Sequence, residues 1–220
     1  GDIESQALGM CIVNDWSARD LQKWEYQPLG PFLAKNFATS MSPFIVTLEA
    51  LAPFRTTGAP RGAGDPRPLP YLSDETDQAF GGFGISLEAA LQTGKMREAG
   101  TPHATISRGS FKDMYWTFGQ MIAHHTVNGC NLQTGDLLAS GTVSGEAPDS
   151  RGCLLELTWA GIDPATGKPR PRKPLELPGG ETRTFLEDGD SLLLRGFCER
   201  EGFRRIGMGI CRGLVLPARA

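Results

Sequence analysis

A chain of 220 residues with a formal net charge of −3 can bury one substantial core and carries no basic field for nucleic acid, its densest basic run being the short PRPRKP near residue 170. No apolar run is long enough for a membrane span, no signal peptide opens the chain, and five widely spaced cysteines without a CxxC read as reduced thiols of a cytoplasmic protein. The 28 glycines and 16 prolines argue for many turns and against a helical bundle, and with so small a net charge an acidic substrate must be held by local donors.

In chain order, residues 7–13 read as a buried strand that delivers Asp15 at its end. Ser17 reads as the N-cap of a short helix over residues 18–26, its hydroxyl accepting from the Asp20 N–H, with Trp16 and Leu21 as a hydrophobic staple and Pro28 and Gly30 as the stop. On that helix Arg19, Gln22 and Tyr26 share one face, while Leu21 and Trp24 point the other way as anchors. The polar face reads either as a solvated helix side with a satisfied Arg–Asp pair or as one wall of a pocket that Asp15 also borders. The loop that follows presents Lys35, Asn36, Thr39, Ser40 and Ser42. Such hydroxyls are common in turns, but together with Asp15 they are the hard oxygen donors that Mg²⁺ or Ca²⁺ requires.

Residues 44–48 read as a strand, residues 55–76 as a Pro- and Gly-rich loop, and residues 83–90 with 104–108 as a hairpin across residues 92–95. One main helix is predicted over residues 111–127, capped by Ser110 and Asp113 and ended at Asn128-Gly129. His124 and His125 are adjacent on it, so they do not share a face and read as packing residues; His103 reads as exposed. Short strands are predicted at residues 136–142, 153–159, 183–186 and 191–198, separated by turn dipeptides. Thr142, in SGTVSG, reads either as an ordinary strand threonine or as a hydroxyl presented to a ligand. Glu156, among Leu154, Leu155, Leu157 and Trp159, either faces solvent by alternation or is buried and needs a partner. The fold class is α+β, β-rich, a mixed sheet or roll with one main helix.

The run NDWSARDLQKWEYQPLGPFLAKNFATSMSP (Asn14 to Pro43) resembles the central motif of the fumarylacetoacetate hydrolase family. The likeness continues through FKDMYWTFGQMIAHHTVNGCNLQTGDLLASGTVSG (Phe111 to Gly145), LLELTW (Leu154 to Trp159) and GFRRIGMGICRGLVLP (Gly202 to Pro217), with residues 55–109 the least distinctive. The resemblance implies a fumarylacetoacetate-hydrolase-like fold and metal-dependent hydrolysis of the C–C bond of a β-diketone, fumarylacetoacetate and water giving fumarate and acetoacetate at the end of tyrosine and phenylalanine catabolism. It implies a divalent cation, Mg²⁺ or Ca²⁺, held by carboxylates of which one matches Asp15, with Lys35 and Thr39 matching a neighbouring cation site. Arg19, Gln22, Tyr26 and Thr142 match substrate contacts. Arg19, Gln22 and Lys35 match groups that orient substrate and stabilise negative charge, Glu156 matches the carboxylate that pairs with a catalytic histidine, and the assembly implied is a homodimer.

That histidine and the remaining metal carboxylates belong upstream of Gly1 in the family pattern, and none of His103, His124 or His125 matches it. The expectation is therefore that residues 1–220 are the C-terminal portion of a single catalytic domain, with little turnover alone. An acylpyruvate hydrolase or oxaloacetate decarboxylase of the same superfamily, a non-catalytic ligand-binding protein, and a piece that completes a dimer stand as alternatives.

Overall fold

A computed structural model describes residues 3–218. Its centre is a four-stranded antiparallel sheet in the order Ile206–Leu214, Ser191–Cys198, Ile85–Gln92, Ala104–Ser110. The predicted hairpin of residues 83–90 with 104–108 is present, Ser86 opposite Ser110 and Leu91 opposite Ala104, although the connection carries a short helix, Gly94–Glu98, capped by Thr93. Two-residue and three-residue strands make four further two-stranded sheets, and every strand pair among the described residues is antiparallel. The α+β class is as expected. All five cysteines are free, and burial pushes the Cys198 thiol up to about 11, the mark of an inert core thiol.

One face of the sheet carries the core, in which Ile12, Leu51, Phe54, Phe83, Ile85 and Met208 are buried together. Two glycines let the N-terminal segment seat on the sheet. A Cβ at Gly196 would stand 2.7 Å from Ile12 Cδ1, and one at Gly213 would collide with the Trp16 indole. Trp16 also donates from Nε1 to Ser40 Oγ at 2.7 Å. The stretch around Asp15 is thus fixed to the sheet by its neighbours on both sides, not by its own side chain.

Several predicted elements take another form. Residues 7–13 are split into Gly9–Met10 and Val13–Asp15, the former paired with Val46–Thr47 and the latter with Thr39–Met41. The helix spans Arg19–Glu25 with Ala18 as its N-cap residue, and Ser17 does not cap it because its hydroxyl is engaged elsewhere. Leu21 and Trp24 do not anchor it within the described residues: Trp24 is 87% exposed. The long helix over residues 111–127 is interrupted. A turn of 3₁₀ helix at Phe111–Asp113 is followed by four non-helical residues with a bend at Tyr115-Trp116, and then by Phe118–Thr126. Thr117 and Gln120 form a full capping box, two reciprocal hydrogen bonds that outcompete continuation from Ser110.

Residues 136–142 form no strand, with Gly135 at positive φ just before them and Gly141 at positive φ within them. Residues 153–159 are not a strand either: Leu154–Leu157 is a helical turn, closed by the Thr158 N–H and Oγ1 on the Leu154 carbonyl and by Arg172 Nη1 on the Leu155 carbonyl. Residues 183–186 shrink to Thr182–Arg183. His103 is half-buried, its Nε2 3.0 Å from Ser191 Oγ, and burial lowers its pKa.

Candidate functional site

Asp15 ends the strand Val13–Asp15, opposite Thr39 in the antiparallel register, so the two side chains lie on one face of that ribbon. Lys35 Nζ donates to Asp15 Oδ2 at 2.7 Å and to Ser17 Oγ at 2.8 Å, and Ser17 Oγ donates to the Asp15 carbonyl. Lys35 reaches this place because its loop is tied back to the helix end. Glu25 accepts from the backbone N–H groups of Phe32, Leu33 and Ala34, which holds its carboxyl below the usual range, and the Ala18 N–H donates to the Ala34 carbonyl. Reading the sequence missed Glu25; its signal is a carboxylate at the last helical position before a Gly-Pro turn.

Arg19 opens the helix, donates from Nη1 to Gln22 Oε1 at 2.8 Å, and lines an open cleft of about 460 Å³. Thr142 and Glu156 line the same cleft from the second half of the chain, together with Ser144, Cys153, Asp113 and Tyr115. The sequence-predicted residues therefore gather in two adjoining groups joined through Ser17 and the start of the helix: Asp15, Lys35 and Thr39 in one, and Arg19, Thr142 and Glu156 in the other, with Gln22 bound to Arg19. Tyr26 stands apart, exposed at the helix C-cap.

The segment carrying Thr142 and Glu156 is held by backbone contacts. Gly145 N–H donates to the Ser150 carbonyl, Arg151 Nη1 donates to the Gly145 carbonyl at 2.6 Å, and Ser107 Oγ donates to the Arg151 carbonyl at 2.7 Å. Gly152 is where the two arms of this loop touch. A Cβ there would collide with the Val143 carbonyl and stand 2.8 Å from the Thr142 methyl. Gly152→Ala is expected to displace Thr142 and to cost about 1–3 kcal/mol as overpacking, read as a fall of a few degrees in thermal melting; an unchanged melting curve would contradict this packing.

Behind the cleft wall, Arg61 lies over the rings of Tyr115 at 4.2 Å and Trp116 at 4.4 Å, and Tyr115 donates its hydroxyl to Asp65 at 2.8 Å. The Pro- and Gly-rich loop is thus pinned to the residues that the interrupted helix releases. Another hollow, about 340 Å³ beside Arg195 and Ile210, holds little chemistry, because Arg205 there is stacked on Phe197 and paired with Glu199.

The histidines have other occupations. His124 Nδ1 is 2.9 Å from the Tyr71 hydroxyl, and His125 Nε2 is 3.4 Å from Cys130 Sγ. Among the described residues no three His, Cys, Asp or Glu side chains converge as a metal cage. Asp15 supplies one carboxylate and Thr39 one hydroxyl on the same face, while the Lys35 ammonium occupies an oxygen that a cation would need. A hard divalent cation takes about six oxygens, so these residues fit one corner of its shell and not the whole.

Residues 4–215 match the family described as Fumarylacetoacetate (FAA) hydrolase C-terminal. The chain is 51% identical to the fumarylacetoacetase of Bos taurus, 50% to that of Homo sapiens and 48% to that of Arabidopsis thaliana. Each match covers 96% of this chain and 45% of the relative, so the chain spans a little under half the length of the proteins it matches. No helix among the described residues is long and apolar enough to cross a membrane.

Proposed function

From the premise that this chain belongs to the fumarylacetoacetate hydrolase family, we propose that it contributes one side of a site that hydrolyses the C–C bond of fumarylacetoacetate to fumarate and acetoacetate, the closing step of tyrosine and phenylalanine breakdown. The observation that carries this reading is the meeting of Arg19 and Glu156, far apart in sequence, on one cleft with Thr142 beside them. A cation and a carboxylate across an open cleft suit an anionic substrate that develops further negative charge as its carbonyl is attacked.

In this reading Arg19, held by Gln22, grips a substrate oxygen and stabilises the oxyanion, and Thr142 adds a hydroxyl contact, while Tyr26, apart from the cleft, has no role in it. Lys35, beside Asp15, offsets the charge of the departing carbanion. Glu156 orients a general base. The described histidines are each bonded to a partner and none lines this cleft, which supports the reading that the imidazole comes from elsewhere. A divalent cation, Mg²⁺ or Ca²⁺, when bound would polarise the diketone; Asp15 and Thr39 are the residues of this chain that would face it. We also propose that residues 1–220 correspond to the C-terminal portion of one catalytic domain, working as a cytoplasmic homodimer. The exposed Trp24, Leu29 and Leu33 support a covered surface there.

The test is turnover by the native protein, followed by the loss of fumarylacetoacetate absorbance, with calorimetric titration of Mg²⁺ and Ca²⁺ and light scattering for the dimer. Hydrolysis that Glu156→Gln removes, and cation binding that Asp15→Asn weakens at least tenfold, are the expected results. Faster turnover of an acylpyruvate or of oxaloacetate, or cation binding indifferent to Asp15, would overturn the assignment.

A further inference from the structure

We propose that Ser144 and Cys153 are positioning residues for Glu156, together occupying its Oε2 so that Oε1 is the oxygen turned to the base. The proposal rests on the reading in which Glu156 orients that base. Ser144 Oγ donates to Glu156 Oε2 at 2.8 Å, and Cys153 Sγ donates to the same oxygen at 3.1 Å. The direction of the first bond follows from its other partner: Ser144 Oγ already accepts the Gly152 N–H at 2.9 Å, and its single proton is then directed at the carboxylate. No described donor reaches Oε1 within hydrogen-bond distance.

Cys153 arrives at this position through local geometry. It is the N-cap residue of the turn Leu154–Leu157 and Glu156 is the third helical residue, the spacing at which a capping-box carboxylate folds back. Here the carboxylate receives the cap's thiol. Burial and the neighbouring Glu156 push the Cys153 thiol up, and Arg19 opposes them weakly, so the thiol keeps its proton and remains a donor. The other titratable groups facing the cleft are Asp113 and Tyr115.

A carboxylate with two fixed donors on one oxygen cannot rotate freely about its last bond, and a base held by the other oxygen inherits that orientation. The effect should therefore appear in kcat and not in KM. In the native protein, Ser144→Ala is expected to lower kcat about tenfold, Cys153→Ala about threefold and the pair about thirtyfold, with KM within twofold. Ser144→Thr and Cys153→Ser keep a donor and should restore most of the rate, which separates lost orientation from lost folding. As a readout independent of turnover, the pH midpoint for alkylation of Cys153 by iodoacetamide should move down in Glu156→Gln, because the thiol loses a neighbouring negative charge. Wild-type kcat in both alanine variants while Glu156→Gln is inactive, or an alkylation midpoint that does not move, overturns the positioning role. Full activity in Glu156→Gln instead overturns the functional reading, whatever the alkylation profile.

Discussion

Replacing Arg19 with methionine is expected to lower kcat/KM by a factor of about 10²–10³, the usual effect of deleting one donor aimed at a developing oxyanion. Methionine keeps the length and apolar stem of the side chain and removes only the guanidinium. The helix should survive, since Arg19 stands at its first position and methionine can replace the apolar stem of this half-buried side chain. Arg19→Lys should recover little, because a lysine cannot both donate to Gln22 and present a second planar N–H to the cleft. Gln22→Ala removes what holds the guanidinium and should cost about tenfold; in the double variant the two losses should not add, since Gln22 acts largely through Arg19. Steady-state kinetics on the four proteins decide the matter. A loss in Arg19→Met confined to KM, or full additivity with Gln22→Ala, would mean that Arg19 only binds substrate and that Gln22 works separately.

Much of this site was readable before any coordinates because its first part is local. Asp15, Arg19 and Gln22 lie within eight consecutive positions whose turn and helix signals fix their relative directions, and the strand–helix–loop–strand order from Val13 to Met41 follows from them. What was misread depended on competition. Ser17 carries the features of an N-cap, but its hydroxyl is claimed by Lys35 and the Asp15 carbonyl, partners that no local pattern reveals. Residues 153–159 read as a strand because leucines and a tryptophan dominate them, whereas the decisive signal was the three-residue spacing from Cys153 to Glu156. Likewise the apolar spacing over residues 111–127 suits one helix, and the Thr117-to-Gln120 capping box inside it marked the break. Arg61 gave no signal at all, since its role comes from two aromatic rings far along the chain. The exposure of Trp24 shows the remaining limit: periodicity identifies an apolar face but not what covers it.

The largest stability effect is expected at Arg183, away from the cleft. Its Nε and Nη2 donate to Asp190 Oδ2 and Oδ1 at 2.8 and 3.0 Å, a two-point pairing with the Asp190 side chain 1% exposed. Asp190 also accepts the Glu187 N–H, and its backbone is bonded to Glu187 and Val215, so the pair pins the turn that launches the central strand Ser191–Cys198. Arg183 extends the network to Glu181, which binds the buried Thr93 at the cap of Gly94–Glu98. Arg183→Met leaves a carboxylate buried without its cation, and the expected cost is about 3–5 kcal/mol, a large share of the ~5–15 kcal/mol that holds a domain together. In thermal denaturation this corresponds to a fall in Tm of roughly 6–20 °C for a chain of this size. Glu187→Gln removes only an exposed partner at 3.3 Å and should change stability by less than about 0.5 kcal/mol. Adding Asp190→Asn to Arg183→Met should recover part of the loss, because the stranded charge is gone while the amide can still accept from Glu187. Equal losses from Arg183→Met and Glu187→Gln, or no recovery in the double variant, would show that the burial of Asp190 is not what makes the pairing necessary.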